Sequence, residues 1–340
     1  MEHQRTYSLK AALVFVFLFS FVLVAATRLI TPALARFQAT LLPDAGAAWY
    51  YWKLPHPELW ATVSMWVLYL AHQISVWALI VKLKSQPRLP AGRIGRYNLL
   101  LLIVNGVFVV LHLLQTALFY DGLAQYVPVW SSQFSVIVML VFMLILLNAR
   151  RGLFFGKKVP LPPLGVSTTQ RVHGFYIAWA VVYTFWFHPM EGTLGHLLGF
   201  LYLILLMGQL SLARTSWHTK IGWLTFLEAF VALHGAVVAI LAKNGMWSMF
   251  FFGFLMMFIV TQIYGILKNR IAIAGITASY VALVLVAYSG ALGRLFTGTP
   301  VGWADIHQIT WIPVILYALA FALCLLLAGV GALIKRKQKG

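Results

Sequence analysis

Ten histidines stand in a chain of 340 residues that has only seven acidic side chains. Imidazole can ligate a metal or pass a proton near neutral pH, so its depth in the fold decides its chemistry. Measured at 1.5 Å per helical residue from the basic residue that ends each apolar run, His234 sits about 21 Å up, His112 about 24 Å and His72 about 15 Å. His173 follows Arg171 at about 3 Å, and His218 precedes Lys220 at the same end. His188 and His196 flank the short turn HPMEGTLGH on the opposite side, with His56 and His307 at that side as well. Ionisable groups deep in lipid are costly and face a bundle interior with a partner. Two readings follow for the deep histidines: hydrogen-bonded packing residues, or ligands. His112 and His234 share nearly one depth, the condition for two axial imidazoles on a b-type haem iron. A second haem would take His173 and His218.

Glu228 lies six residues before His234 and points away from it. It reads either as a proton relay or counter-charge, or as a hydrogen-bonded contact between helices. His188, Glu191 and His196 form a weak metal pattern, H-x-x-E-x-x-x-x-H, that matches no standard zinc spacing. No phosphate-binding loop, HExxH pair or nucleophile elbow occurs, so no catalytic residue can be named.

The elements that must carry these residues are membrane helices. The chain is 62% hydrophobic and 9% charged, with mean hydropathy +0.88, whereas soluble domains hold about 25% charged residues. The expected fold is an all-α integral membrane protein, with ten spans in one bundle at about 9–27, 59–81, 97–119, 131–149, 169–188, 195–213, 221–242, 247–267, 271–290 and 308–334. With both termini in the cytoplasm, 20 of the 25 Lys and Arg face inward. Only Arg28, Arg36, Lys53, Lys243 and Arg294 face out. This positive-inside bias implies an inner-membrane, multi-pass protein with N and C termini in the cytoplasm. It also explains the net charge of +18 without nucleic acid.

The first span reads as an uncleaved anchor rather than a signal peptide. The chain divides into residues 1–149, with four spans and an outer aromatic loop (AWYYWKLPHPELW); 150–170, a cytoplasmic proline-rich connector (KKVPLPPLG); and 171–340, with six spans and a basic tail. Ser167 to Gln170 fits a capping box that would start the fifth span. The single cysteine, Cys324, reads as a small buried hydrophobe.

The stretch LGHLLGFLYLILLMGQLSLARTSWHTKIGWLTFLEAFVALHG, from Leu194 to Gly235, resembles the ferric reductase-like transmembrane family, haem-binding helical bundles that pass electrons across membranes. The resemblance rests on a span ending in a basic turn, then H-x-x-x-G and a second histidine, here His218, Gly222 and His234. It implies that His218 and His234 ligate an inner and an outer haem, although on a straight helix the two point to nearly opposite faces. The partner histidines would come from His173 and His188, or from His72 and His112.

Besides a structural subunit whose histidines do nothing special, three functions stay open at this point. One is a b-type cytochrome with one or two haems, reduced by a quinol or a redox partner protein. Another is a proton-coupled transporter or flippase whose pathway is lined by His72, His112, Gln115 and Glu228. The third is a membrane acyltransferase.

Overall fold

The computed structural model describes residues 6–41, 52–87, 89–128, 130–242, 246–290 and 301–337. Most of the outer aromatic segment before Trp52, and Lys243, Arg294, Arg5, Arg88 and Lys339 from the charge count, lie outside the described residues. Among the described residues there are ten long helices: α1 (Leu9–Leu34), α2 (Leu59–Lys84), α3 (Arg96–Phe119), α4 (Trp130–Arg151), α5 (Pro163–Phe187), α6 (Leu194–Ser211), α7 (Ile221–Ala242), α8 (Trp247–Val260), α9 (Arg270–Tyr288) and α10 (Trp311–Lys337). Nine helical segments are long and apolar enough to cross a membrane, so the chain is an all-α, multi-pass membrane protein. The exception is α5, whose first half carries Thr168, Thr169, Gln170, Arg171 and His173. Among the described residues strand structure is limited to two short antiparallel pairs, of which β1 (Thr6–Ser8) with β2 (Arg93–Gly95) ties the start of α1 to the start of α3.

Several boundaries differ from expectation for local reasons. Helix α5 starts at Pro163, not after a Ser167 cap. Proline's fixed φ suits the first helical turn, the Val166 N–H closes that turn on the Pro162 carbonyl at 3.0 Å, and Ser167 Oγ bonds back to the Leu164 carbonyl. Helix α8 stops at Val260 and tightens into a 3-10 turn, Gln262–Gly265. Buried Thr261 holds this break by donating to the Leu153 carbonyl at 2.8 Å.

The chain divides into two compact units, but not in sequence order. The first comprises Met1–Val136 and Gly174–Lys220; the second comprises Ile137–His173 and Ile221–Gly340. The two units interleave along the chain, because α4 and α5 each give a segment to both units. In the first unit, α3 packs on α1, α2 and α6. In the second, α8 packs on α7, α9 and α10. The core of the second unit joins Val141, Ile145, Leu153, Met257, Tyr317 and Cys324. The proline-rich connector belongs to this core: Leu161 is buried in it, and Asn148 clamps Val159 through both its backbone N–H and C=O.

Candidate functional site

The first unit gathers most of the polar chemistry around α3. Asn98, Asn105 and His112 recur every seven residues and are all buried. Seven residues bring a helix back to within about 20° of the same face, so the three form one stripe about 21 Å long. Asn98 Nδ2 donates to the carbonyls of Ser211 (2.7 Å) and Ala213 (2.9 Å) at the end of α6. Asn105 Nδ2 donates to Ser211 Oγ at 2.9 Å, and Ser211 Oγ donates to the Met207 carbonyl at 2.7 Å.

His72, from α2, completes this network. The Trp186 indole N–H donates to its Nδ1 at 3.1 Å, so Nε2 carries the proton and donates to Asn105 Oδ1 at 2.9 Å. Its ring stacks on Phe108 at 4.6 Å. Trp186 also meets the ring of His112, 4.2 Å between centroids. His112 Nε2 donates to the His188 carbonyl at 2.9 Å. Beside these histidines lie two buried amides, Gln73 and Gln115. Neither the nitrogen nor the oxygen of either amide has a hydrogen-bond partner.

The stripe ends at a polar cluster where the turn after α3 meets the turn before α6. Tyr120 caps α3 in a left-handed conformation, φ 48°, and donates its hydroxyl to Glu191 Oε2 at 3.0 Å. His196 Nδ1 shares a 2.7 Å hydrogen bond with Thr193 Oγ1 and lies 3.9 Å from Glu191 Oε2. The rings of His188 and His196 are 5.3 Å apart. Gly122 permits the approach of the two turns, since a Cβ there would fall 2.7 Å from the Phe187 carbonyl oxygen. Buried Asp121 accepts from the Gly122 N–H (2.7 Å) and the Tyr126 hydroxyl (2.6 Å). Burial pushes the Glu191 carboxyl above its ordinary range, and the Tyr120 hydrogen bond opposes that shift. Burial and the neighbouring carboxylate raise the Tyr120 phenol.

The second unit holds the other singled-out residues. Arg151, at the end of α4, makes a bidentate ion pair with Glu228 of α7 at 2.7 and 3.0 Å, with side chains 7% and 9% exposed. His234 lies in α7 with Nδ1 buried and without a hydrogen-bond partner. His173 donates from Nδ1 to the Gln170 carbonyl at 2.8 Å. His218, in the first unit, is held by Gln209 in a reciprocal clasp, Nδ1 to the Gln209 carbonyl at 3.0 Å and Gln209 Nε2 to the His218 carbonyl at 2.9 Å. Thus His112 and His234 lie in different units, as do His218 and His173.

Ligation of haem b needs an imidazole nitrogen with a free lone pair. His72 does not fit, because one nitrogen accepts from Trp186 and the other is protonated toward Asn105. His112 Nε2 carries the proton given to the His188 carbonyl, which leaves its buried Nδ1, without a hydrogen-bond partner, as a nitrogen that fits. His234 has a nitrogen that fits. Among the described residues, no group of three or more His, Cys, Asp or Glu could hold a metal ion, although His188, Glu191 and His196 are neighbours.

Sequence reasoning missed Asn98, Asn105, Gln73, Ser211 and Trp186. The seven-residue recurrence of Asn98, Asn105 and His112 was the signal that could have found the stripe. Comparison with protein families, with curated proteins and with solved structures yields no match.

Proposed function

We propose that the chain is a proton-coupled membrane transporter whose proton pathway runs along α3 in the first unit. The observation that carries this reading is the pair Gln73 and Gln115, four buried amide atoms without a protein partner beside His72 and His112. Each such atom costs about 1–3 kcal/mol unless water satisfies it. A thread of water there would link the hydrogen-bonded row Ser211–Asn105–His72 to His112 and on to Glu191. Histidine is suited to carry the proton, and Glu191, with its raised carboxyl, to receive or release it at the surface. By the charge count, the α3–Glu191 end faces outward, both termini face the cytoplasm of an inner membrane, and α5 serves as the tenth crossing.

The test is proton uptake into liposomes containing the purified protein, read with a trapped pH dye under an imposed gradient. Wild type should exceed empty liposomes; His112→Asn should slow uptake by about 10²-fold, the usual loss when a positioned proton carrier is removed, and Gln115→Leu, which removes an amide that would hold the water, should slow it as well. Uptake no faster than in empty liposomes would reject the reading.

A second reading, a b-type cytochrome fed by a quinol or a partner protein, is favoured by the partnerless Nδ1 of His234 within the stretch that resembles the ferric reductase-like family. A reduced-minus-oxidised spectrum with a sharp α-band, lost in His234→Ala, would support it over the transporter.

A further inference from the structure

The second unit has a groove of about 1100 Å³ beside α9. Its walls are apolar, running from Phe155 and Tyr264 along Ile273, Ala278 and Leu285, and its mouth carries Lys268 and Arg270. We infer that this groove is a binding site for one anionic phospholipid, with the headgroup on Lys268 and Arg270 and an acyl chain along α9.

Charge comes first. Lys268 and Arg270 are exposed, and among the described residues neither meets a carboxylate within ion-pair distance. The chain has few acids to offer them. Of the five acidic residues among the described ones, Glu228 is already paired with Arg151, and none makes an ion pair with Lys268 or Arg270. Among the described residues the two cations have no counter-anion, and an anionic headgroup supplies one.

Length comes second. Ile273 to Leu285 spans about 18 Å of helix, close to the thickness of one leaflet in a hydrocarbon core of about 30 Å. A groove open to the bilayer is filled by lipid tails, and the basic mouth then selects the headgroup. Phe155 reinforces the lip. Its backbone N–H is pinned to the Val260 carbonyl at 2.8 Å and its ring meets Tyr264 edge-on at 6.2 Å. Lys157 and Lys158 follow in the same tight hairpin and are exposed.

A second copy of the chain is the rival occupant, because Ala274, Ala278 and Ala282 form a small-residue row suited to helix packing. Two copies in one membrane share an orientation, so a two-fold contact would bring the Lys268 and Arg270 of both to one depth, like charge against like. That favours the lipid.

The experiment is native mass spectrometry of the protein released from bilayers of equal phosphatidylglycerol and phosphatidylcholine, with chemical crosslinking in parallel. Wild type should retain one phosphatidylglycerol in preference to phosphatidylcholine. Lys268→Gln with Arg270→Gln should lower that preference by about 25-fold, fivefold for each basic group near an anionic surface. Ala278→Trp, which fills the groove and leaves the charges, should reduce retention of either lipid. Equal retention of both lipids by wild type, an unchanged preference in the double variant, or crosslinked dimers through α9 would each overturn the inference.

Discussion

The Arg151–Glu228 pair offers a quantitative test of what holds the second unit together. Each partner is less than a tenth exposed, and two charge-assisted hydrogen bonds join them, at 2.7 and 3.0 Å. A hydrogen bond to a charged group contributes about 1.5–3 kcal/mol, so the two together give about 3–6. Removing one partner of a buried pair costs about 3–5 kcal/mol, because the other charge is stranded. Arg151→Met and Glu228→Met should therefore each destabilise by about 4 kcal/mol. For a unit of this size that lowers the melting temperature in detergent by roughly 10 °C. Removing both strands nothing. The double variant should lie within about 1–2 kcal/mol of wild type, since an apolar pair of similar volume replaces a desolvated one at little net cost. Thermal melts of the four proteins, read by tryptophan fluorescence, give the coupling energy directly. Single variants that melt with wild type, or a double variant as unstable as the sum of the singles, would refute the reasoning. The double variant should also keep proton uptake, because the proposed pathway lies in the first unit. Loss of uptake would return Glu228 to the pathway as a relay.

Three further outcomes are expected. His72→Phe leaves the Trp186 N–H and Asn105 Oδ1 without His72 and should cost about 1–3 kcal/mol in a detergent melt, with His72→Asn recovering part of it. Glu191 has a folded pKa raised by burial above its ordinary 4.5. Its folded form therefore holds its proton more tightly, and stability is highest below that value and falls as pH rises through the folded pKa. Glu191→Gln should flatten that slope in melts across pH and raise stability on the alkaline side. Gly165→Ala would drive a Cβ into the backbone carbonyl of Cys324 and should cost about 1–3 kcal/mol by overpacking. Gly275→Ala meets nothing within 4 Å and should be neutral or stabilising by the same melt.

The membrane class and most helix positions were legible, because long apolar runs between basic clusters admit few other structures. Starts and stops set by single residues were harder to read. Pro163 opens α5 upstream of a plausible cap at Ser167, and Thr261 ends α8 through a bond to Leu153, 108 positions away. The depth map set His72, His112 and His234 deep in their spans by counting residues, and His72 and His112 are fully buried. Their partners did not follow, because Trp186 and Asn105 sit on other helices and helix rotation is not encoded in depth. Arg151 is the clearest case. As a charge beside a helix end it reads as a topological marker, and only the fold, which brings Glu228 within 2.7 Å of it, reveals it as half of an ion pair.

The interleaving of the two units has a consequence for biosynthesis. Arg151 and Glu228 are separated by 77 positions, which a ribosome adding about 5–20 residues per second takes roughly 4–15 s to supply. By the end of that interval α5 and α6 are made, while α8 and α10, whose residues share one core with Val141, Leu144 and Ile145 of α4, are not. Until Glu228 is made, Arg151 lacks the carboxylate that pairs with it in the finished fold. Because the first unit ends at Lys220, all of its residues exist before most of the second unit has been synthesised, so α4 and α5 carry segments of a unit that is complete and of one that is only begun.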